Sequence, residues 1–344
     1  MVPFHPRLTG HGESVRGTFP GVLTMFRRTG SSIGCSIVED LVSIVRLHWS
    51  SPPQVTLHVD TRQVPVEGQR ADPSPRSIPA SLRRVMAGSL RALPEVVTCL
   101  PPGQVRYHRL RFAPIPDEEL PAAVFWQASR ELGCDSQSLR TDFYDVGEVV
   151  DSGKRRREVI AVAASNADLN AHVDKLRKVG LSPNAIDTTA GALARCLVPL
   201  APGGEDPWLV LDLGVPTSTL IVVRNGVPRF IHSVSRPHAN DLVQLASDLT
   251  SEINLCLHYL SGAGHEQCQP GMGCVVGAGS EQEKVLATLN EGAELEFRQF
   301  ADCLSAPLRA TAAELPPHGR IDHWLVLLGL ALYGRESMLR GVAA

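Results

Sequence analysis

The residues best suited to chemistry lie in the segment WLVLDLGVPTSTLIVVRNG, residues 208–226. Its alternating apolar residues predict strand, turn and strand, and the turn holds Asp212, Gly214, Thr217 and Ser218. A glycine in such a turn lets backbone N–H groups approach phosphate oxygens, and hydroxyl groups add further donors. The carboxylate of Asp212 suits Mg²⁺, because this hard cation prefers oxygen ligands. The segment is therefore typical of a phosphate-binding loop.

A second segment, SSIGCSIVEDLVSIVRL at residues 31–47, has the same strand pattern but a different turn. It carries Ser36, Val38, Glu39 and Asp40 in place of the aspartate, glycine and hydroxyl groups. Val38 is β-branched at a position where a positive φ is favoured. Two carboxylates stand where phosphate would arrive, and a pair of like charges about 4 Å apart costs roughly 4 kcal/mol at an effective dielectric constant of 20. This turn is therefore unsuited to phosphate.

A third glycine turn, in VVGAGSE, contains Gly277, Gly279 and Ser280 and can let a flat adenine lie against the backbone. Two facing hairpin turns can clamp a triphosphate from both sides. The three segments together predict a nucleotide cleft in which one side has lost its phosphate ligands.

A further group of candidate ligands, His258, His265, Cys268 and Cys274, contains residue types that zinc accepts. Their spacing matches no closed zinc motif, which favours ordinary loop and core residues over a metal site. The eight cysteines form no CxxC pair, and this usage is typical of a reducing compartment.

The composition is that of a globular protein with one large or two ordinary domains. The chain has 344 residues, of which 43% are hydrophobic and 20% charged. The net charge of −3 provides no global basic field, so we expect no nucleic-acid partner. The longest apolar run, residues 324–333, is about half the roughly 20 residues that span a bilayer, and the first residues lack a signal-peptide pattern. We therefore expect a cytoplasmic protein.

The basic run Lys154–Arg157 lies at the tip of a predicted hairpin. Such a run is most often a solvated surface. Contact with an anionic membrane surface is the alternative, at about 1 kcal/mol per cation.

The elements that position these residues recur along the chain. Strand meanders followed by helices occur twice, which predicts two α/β halves. We expect a disordered N-terminal extension at 1–27, a first half at 28–103 and 150–200 with the C-terminal helix 321–344, an inserted subdomain at 104–149, and a second half at 205–320.

Three helices are predicted with their ends. A helix over 116–132 has acidic residues in its first turn, where the helix dipole favours them. Ser165 and Asp168 resemble a capping box for a helix that ends at Gly180. A long amphipathic helix runs from about 240 to 260.

Several motifs occur in one order between about residues 29 and 338. IGCSIVEDLVSIVRL aligns without a gap with IGIDIGSSSVKVVEL, WQA at Trp126–Ala128 with WEA, TDFYDVG at Thr141–Gly147 with LDYQVLG, and GLALYG at Gly329–Gly334 with GLALRG. The second member of each pair is the pattern of PilM-type proteins of type IV pilus assembly, within the actin-like ATPase superfamily that includes FtsA. The chain resembles this family.

The resemblance implies an α/β, actin-like (ribonuclease H-like, duplicated) fold of two halves around a nucleotide cleft, with a small α+β subdomain inserted in the first half. It also implies a cytoplasmic scaffold, peripheral at the inner face of the inner membrane, beside other pilus or secretion components. Its partner would be the N-terminal cytoplasmic tail of a PilN-like membrane protein, bound near residues 95–147. Homo-oligomerisation stays open.

The resemblance also assigns nucleotide-binding positions. These are Asp212, Gly214, Thr217, Ser218, Glu252 (at the ribose), Gly277, Gly279 and Ser280. In the first loop, however, the aspartate, glycine and lysine of the family are Ser36, Val38 and Ser43. We therefore expect ATP and Mg²⁺ to bind weakly or not at all, with no hydrolysis, no catalytic residue and no metal ligand: a pseudo-ATPase.

Three alternatives remain. The chain could be an active ATPase or small-molecule kinase in which Glu39 or Asp40 holds Mg²⁺, since hard cations accept any well-placed oxygen. It could be a GspL-like cytoplasmic domain of type II secretion. Asp187, in AIDTTAGAL, could be an acid at the cleft, but its position before a helix favours a structural N-cap.

Overall fold

The computed structural model describes residues 30–38, 41–49, 58–65, 95–133, 138–197, 206–214, 216–235, 241–262, 268–277, 281–303 and 321–340. The predicted extension at 1–27 lies outside these ranges, as do Glu39, Asp40, His265, Gly279 and Ser280.

The described chain alternates strands and helices. In chain order these elements are β1 (Gly30–Val38), β2 (Leu41–Trp49), β3 (His58–Pro65), β4 (Glu95–Cys99), β5 (Arg106–Phe112), α1 (Leu120–Leu132), β6 (Leu139–Asp151), β7 (Lys154–Ser165), α2 (Asn166–Lys178), β8 (Ala185–Asp187), α3 (Thr189–Leu197), β9 (Trp208–Asp212), β10 (Thr217–Arg224), β11 (Val227–Ser235), α4 (Leu242–Ser261), β12 (Met272–Val276), α5 (Gln282–Gly292), β13 (Phe297–Gln299) and α6 (Ile321–Arg340).

Two five-stranded sheets share one topology. The first has the order β3-β2-β1-β4-β8 and the second the order β11-β10-β9-β12-β13. In each, the first three strands of the order are antiparallel, and the last two run parallel to the central strand. This duplication confirms the predicted fold of two α/β halves.

Helices α3 and α6 join the two sheets through one apolar core. Their buried residues Leu193, Leu327 and Leu330 belong to a cluster that also contains Val97 of the first sheet and Val210 of the second. On its other face, the second sheet is covered by the buried sides of α4 and α5. The two halves are thus packed on a shared helical layer.

The inserted subdomain is a three-stranded sheet, in the order β5-β7-β6, with α1 on one face. Strand β7 continues to Ser165, so the predicted boundary at residue 149 is wrong because it divides a single hairpin. The helix predicted from residue 116 begins at Leu120, with Pro121 in its first turn. Asp117 therefore precedes the helix, and its carboxylate pairs with Arg157.

The basic run at the β6–β7 hairpin is partly neutralised. Arg157 is bound by Asp117 and by Asp145, whose Oδ2 lies 2.6 Å from Nη2. Arg155 lies 3.6 Å from Glu148, and both side chains are exposed. These pairs favour the solvated-surface interpretation of the run.

Within the described residues, no helix is long and apolar enough to cross a membrane.

Local signals set the ends of the helices as predicted. The hydroxyl of Ser165 accepts a hydrogen bond from the Asp168 backbone N–H at 2.9 Å, so Ser165 caps α2. At the other end, Gly180 has a φ of +83° and allows the Leu181 N–H to reach the Leu176 carbonyl at 3.0 Å. Asp241 caps α4 by accepting from Val243 and Gln244.

We expect acid to destabilise the fold through His172 of α2. Its Nε2 lies 2.8 Å from the Thr98 hydroxyl of β4, and burial, with a smaller effect of Lys175, lowers its pKa from 6.5 to about 4. Between those pH values the unfolded state binds a proton that the folded state rejects, so stability falls as pH drops through this window. The loss reaches about 3 kcal/mol, at 1.4 kcal/mol per pKa unit.

Urea unfolding at about pH 7 and about pH 4.5 measures this effect. His172→Gln should flatten the pH dependence relative to the unsubstituted protein. An equal loss of stability in both proteins would show that His172 is not the responsible group.

Candidate nucleotide cleft

The second hairpin opens into a loop at the predicted phosphate site. Its last paired residues are Asp212 and Thr219, so residues 213–218 form the connection. The Gly214 N–H donates to the Ser218 hydroxyl at 3.2 Å, and this hydroxyl donates to the Gly214 carbonyl at 2.9 Å. Ser218 is buried. Its side chain therefore closes the loop on itself, whereas Asp212 and Thr217 remain half-buried.

The glycine turn lies directly beside this loop. The Leu213 N–H donates to the Val276 carbonyl at 2.8 Å, and Gly277 follows with a φ of +94°. A Cβ at Gly277 would overlap the Leu213 carbonyl oxygen, so both the backbone conformation and the space require glycine. The structure thus brings together Asp212, Gly214, Thr217, Ser218 and Gly277, and nucleotide binding by these residues stays a prediction.

Glu252 occupies a different place. Its carboxylate lies 3.6 Å from Nε2 of His232 on β11, and β11 is the edge strand on the far side of β10 and β9 from β12. This position favours a surface charge on α4 over the predicted ribose contact.

The first hairpin closes much more tightly. Its ladder continues to the pair Val38–Leu41, which leaves Glu39 and Asp40 as the connection. Val38 is an extended strand residue, so the strain expected from a positive φ does not arise. The carboxylate arrangement of the turn lies outside the described residues.

Two positions of that ladder differ from the PilM-type pattern. Ser36 and Ser43 are directly opposite each other and are 4% and 2% exposed. They stand where the PilM-type pattern has aspartate and lysine. A single charge buried at either position would be costly, whereas two small hydroxyl groups are not. The first hairpin therefore holds a buried cross-strand pair of hydroxyl groups, and no charge, at these two positions.

A proline-rich turn brings the first half against the second loop. Residues Pro102–Gln104 form a 3₁₀ turn after β4, and a Cβ at Gly103 would lie 3.7 Å from the Thr217 hydroxyl. The cleft beside Thr217 is therefore bordered by backbone of the first half.

Asp187 is a structural acid, but it is not the cap of α3. Its Oδ1 accepts from the adjacent Thr188 N–H at 2.7 Å, and its Oδ2 pairs with Arg195. The capping group is the Thr188 hydroxyl, which accepts from the Gly191 N–H at 3.0 Å. The predicted N-cap is thus one residue too early. Asp187 is fully buried, and its carboxylate forms an ion pair with Arg195.

Sequence reasoning missed the network around this ion pair. The Tyr144 hydroxyl of the subdomain lies 2.8 Å from that of Thr188, and burial, with Asp187 nearby, raises the pKa of Tyr144. Arg195 also donates to the Gly329 carbonyl at 3.1 Å and lies 4.8 Å from the ring centre of Tyr333. The sequence does contain a signal for this network: Arg195 lies within the apolar segment AGALARCL, and a charge buried in such a segment requires a buried partner.

Three of the four candidate zinc ligands, His258, Cys268 and Cys274, lie within the described residues. Cys268 and Cys274 are buried, and His258 lies 3.5 Å from Glu294. Among the residues that the structure describes, no three His, Cys, Asp or Glu side chains are grouped to hold a metal ion.

Two sheets of one topology, a shared layer of α3 and α6, and a loop with Asp212 at the cleft define an actin-like ATPase fold. A chain of the PilM–PilN type IV pilus biogenesis complex has this fold with 20% identity and a TM-score of 0.60, over 88% of this chain and 98% of that chain. The predicted resemblance to PilM-type proteins is confirmed in the fold.

Two further solved structures are less similar. The cytoplasmic domain of EpsL, an inner membrane component of the type II secretion system of Vibrio cholerae, has 13% identity and a TM-score of 0.43, over 88% and 95% of the two chains. A Bacteroides thetaiotaomicron protein with an actin-like ATPase fold and unknown function has 9% identity and a TM-score of 0.42, over 81% and 94%. No family model and no curated protein matches the sequence.

Proposed function

We propose that this chain is a scaffold component of a type IV pilus or related secretion machine, with a degraded nucleotide cleft. It acts at the inner face of the inner membrane and binds the N-terminal cytoplasmic tail of a PilN-like membrane protein near residues 95–147. The proposal is supported by the fold shared with a chain of the PilM–PilN complex along almost its whole length.

One observation carries the proposal against an enzyme: the contrast between the two hairpins. The second has a longer loop with half-buried Asp212 and Thr217, whereas the first closes at Val38–Leu41 with Ser36 and Ser43 buried in its ladder. A two-sided triphosphate clamp needs hydrogen-bond donors on both sides and a carboxylate for the metal ion. A cleft with one functional side argues against ATP hydrolysis, which favours a scaffold over an enzyme.

Residues 95–147 also present an anchor of the kind that peptides use. Trp126 of α1 is 65% exposed and packs edge-on against Phe125 at 5.6 Å. Large aromatic side chains dominate binding energy at protein interfaces. We therefore place Trp126 at the partner surface, where pocketed apolar contacts would hold an extended tail.

Calorimetric titration with a synthetic N-terminal tail of a PilN-like protein encoded beside this chain tests the partner. We expect Trp126→Ala to weaken binding at least about 30-fold, the size of a hot-spot effect. The control is Leu255→Ala, since Leu255 on α4 is equally exposed at 65% but lies outside the proposed surface. Absence of tail binding, or equal effects of both variants, would contradict the proposed surface.

Titration with Mg–ATP tests the cleft separately. We expect no saturable binding at micromolar concentrations. Micromolar affinity would contradict the degraded cleft, and phosphate release that is lost in Asp212→Ala would establish the ATPase or kinase alternative instead.

A further inference from the structure

The inserted subdomain contacts both halves of the fold. Its Tyr144 hydroxyl lies 2.8 Å from the Thr188 hydroxyl of the first half. The next residues of the same strand, Asp145 and Val146, reach the second half. The subdomain is therefore a bridge between the two halves as well as an appendage of the first half.

A β-bulge creates the first contact with the second half. The ladder pairs Asp145 with Val159 and Gly147 with Glu158, so Val146 has no partner in the register. Gly147, with a φ of +106°, allows this bulge. The Val146 carbonyl then accepts from Nη1 of Arg229 on β11 at 2.6 Å, and the Asp145 carbonyl from the same nitrogen at 3.3 Å.

The second contact is an arginine stacked on two aromatic rings. The guanidinium of Arg109 on β5 lies 4.8 Å from the ring centre of Phe230 and 5.1 Å from that of Tyr259. Its Nη1 donates to the Tyr259 hydroxyl at 2.8 Å. Such stacking is stronger for a desolvated arginine.

Within the subdomain, a buried carboxylate holds Arg109 in place. Glu158 of β7 is 0% exposed and lies 3.5 Å from Arg109. It also accepts from Nε of Arg111 at 2.7 Å. Because Glu158 belongs to the same sheet as Arg109, this pair fixes the arginine to the subdomain. The two rings on which the arginine stacks, those of Phe230 and Tyr259, belong to the second half.

We propose that the inserted subdomain is a latch that fixes the angle between the two halves without nucleotide. In a two-sided clamp the bound triphosphate joins the halves, and here the first loop lacks the groups for this. Arg109 and Arg229 join β5 and β6 of the subdomain to β11 and α4 instead. The nucleotide independence rests on the proposed degraded cleft, whereas the latch itself rests on these contacts.

Distance measurements between two spin labels test the latch. Labels go on added cysteines at Ala171 of α2 and Ala287 of α5, both exposed and one in each half. Cys134 is replaced by serine. The other seven cysteines are buried, and burial raises the pKa of Cys35, Cys99 and Cys196 to about 12, so these thiols react slowly.

The double variant Arg109→Gln with Arg229→Gln removes both contacts. We expect its distance distribution to broaden and shift to longer distances, whereas the unsubstituted protein keeps one narrow distribution. The control is Arg298→Gln, because Arg298 pairs with Glu296 at 3.0 Å on the surface of the second half. Its distribution should match that of the unsubstituted protein.

A milder pair guards against loss of folding. Tyr259→Phe keeps the ring but removes the hydroxyl, and Arg229→Lys keeps the charge but removes the two-carbonyl geometry. We expect the same broadening to a smaller extent. Unchanged distributions in both pairs would overturn the latch. A distribution that narrows or shifts only on addition of Mg–ATP would overturn the nucleotide independence and leave partner binding to its own titration.

Discussion

Arg195→Ala is expected to lower the free energy of unfolding by about 3–5 kcal/mol, the cost of breaking a buried ion pair. Arg195 is 2% exposed, and its partner Asp187 is fully buried. Without the guanidinium, the buried carboxylate of Asp187 loses its ion pair and retains the hydrogen bond from the Thr188 N–H. The same substitution also removes the hydrogen bond that Nη1 of Arg195 donates to the Gly329 carbonyl at 3.1 Å.

Urea unfolding measures this loss, with Arg177→Ala as the control. Arg177 pairs with Asp174 at 3.5 Å, and both side chains are more than half exposed. Exposed pairs contribute at most about 1 kcal/mol. The double variant Asp187→Asn with Arg195→Met should recover a large part of the stability, because no unpaired charge stays buried. If Arg195→Ala costs no more than the control, the buried pair does not hold α3 in place.

The features that the sequence predicts well are those set by neighbouring residues. The capping of α2 by Ser165 depends on an N–H three residues away, and the helix end at Gly180 depends on a positive φ at one residue. The strand pattern of each hairpin depends on alternation within about ten residues. Such signals require no knowledge of the tertiary fold.

For the first loop, the sequence predicts only part of what the structure shows. Once Val38 and Leu41 are paired, the antiparallel register also places Ser36 opposite Ser43. The residue types alone predict a loop unsuited to phosphate. The register adds that Ser36 and Ser43, which stand where the PilM-type pattern has aspartate and lysine, form one cross-strand pair, which a list of unfavourable residues does not reveal.

The features that sequence reasoning missed involve residues distant along the chain. Asp187 looked like a cap because its nearest neighbours suffice for one, but its partner Arg195 lies in the last turn of α3, and Gly329 comes from another helix. The contact between Arg229 and Val146 depends on a bulge and on the docking of two sheets. No local pattern predicts such contacts, because tertiary packing chooses them.

Gly329→Ala is expected to destabilise the protein, although alanine is the better helix former. In an exposed helix this change stabilises by about 0.8–1 kcal/mol. In α6, however, a Cβ at Gly329 would overlap the backbone carbonyl of Ala192 in α3. Overpacking of a core costs about 1–3 kcal/mol or more, so the sign of the effect reverses. An added Cβ at Gly34 of β1 would likewise overlap the Leu327 carbonyl oxygen of α6.

Urea unfolding of Gly329→Ala and of Gly271→Ala measures this reversal. An added Cβ at Gly271 meets no atom within 4 Å, so this control should stay within about 0.5 kcal/mol of the unsubstituted protein. A Gly329→Ala protein as stable as the control would contradict the close crossing of α3 and α6. The crossing also gives a physical reason for the first glycine of GLALYG: α6 and α3 meet backbone to backbone there, and a side chain would separate the two helices of the layer between the sheets.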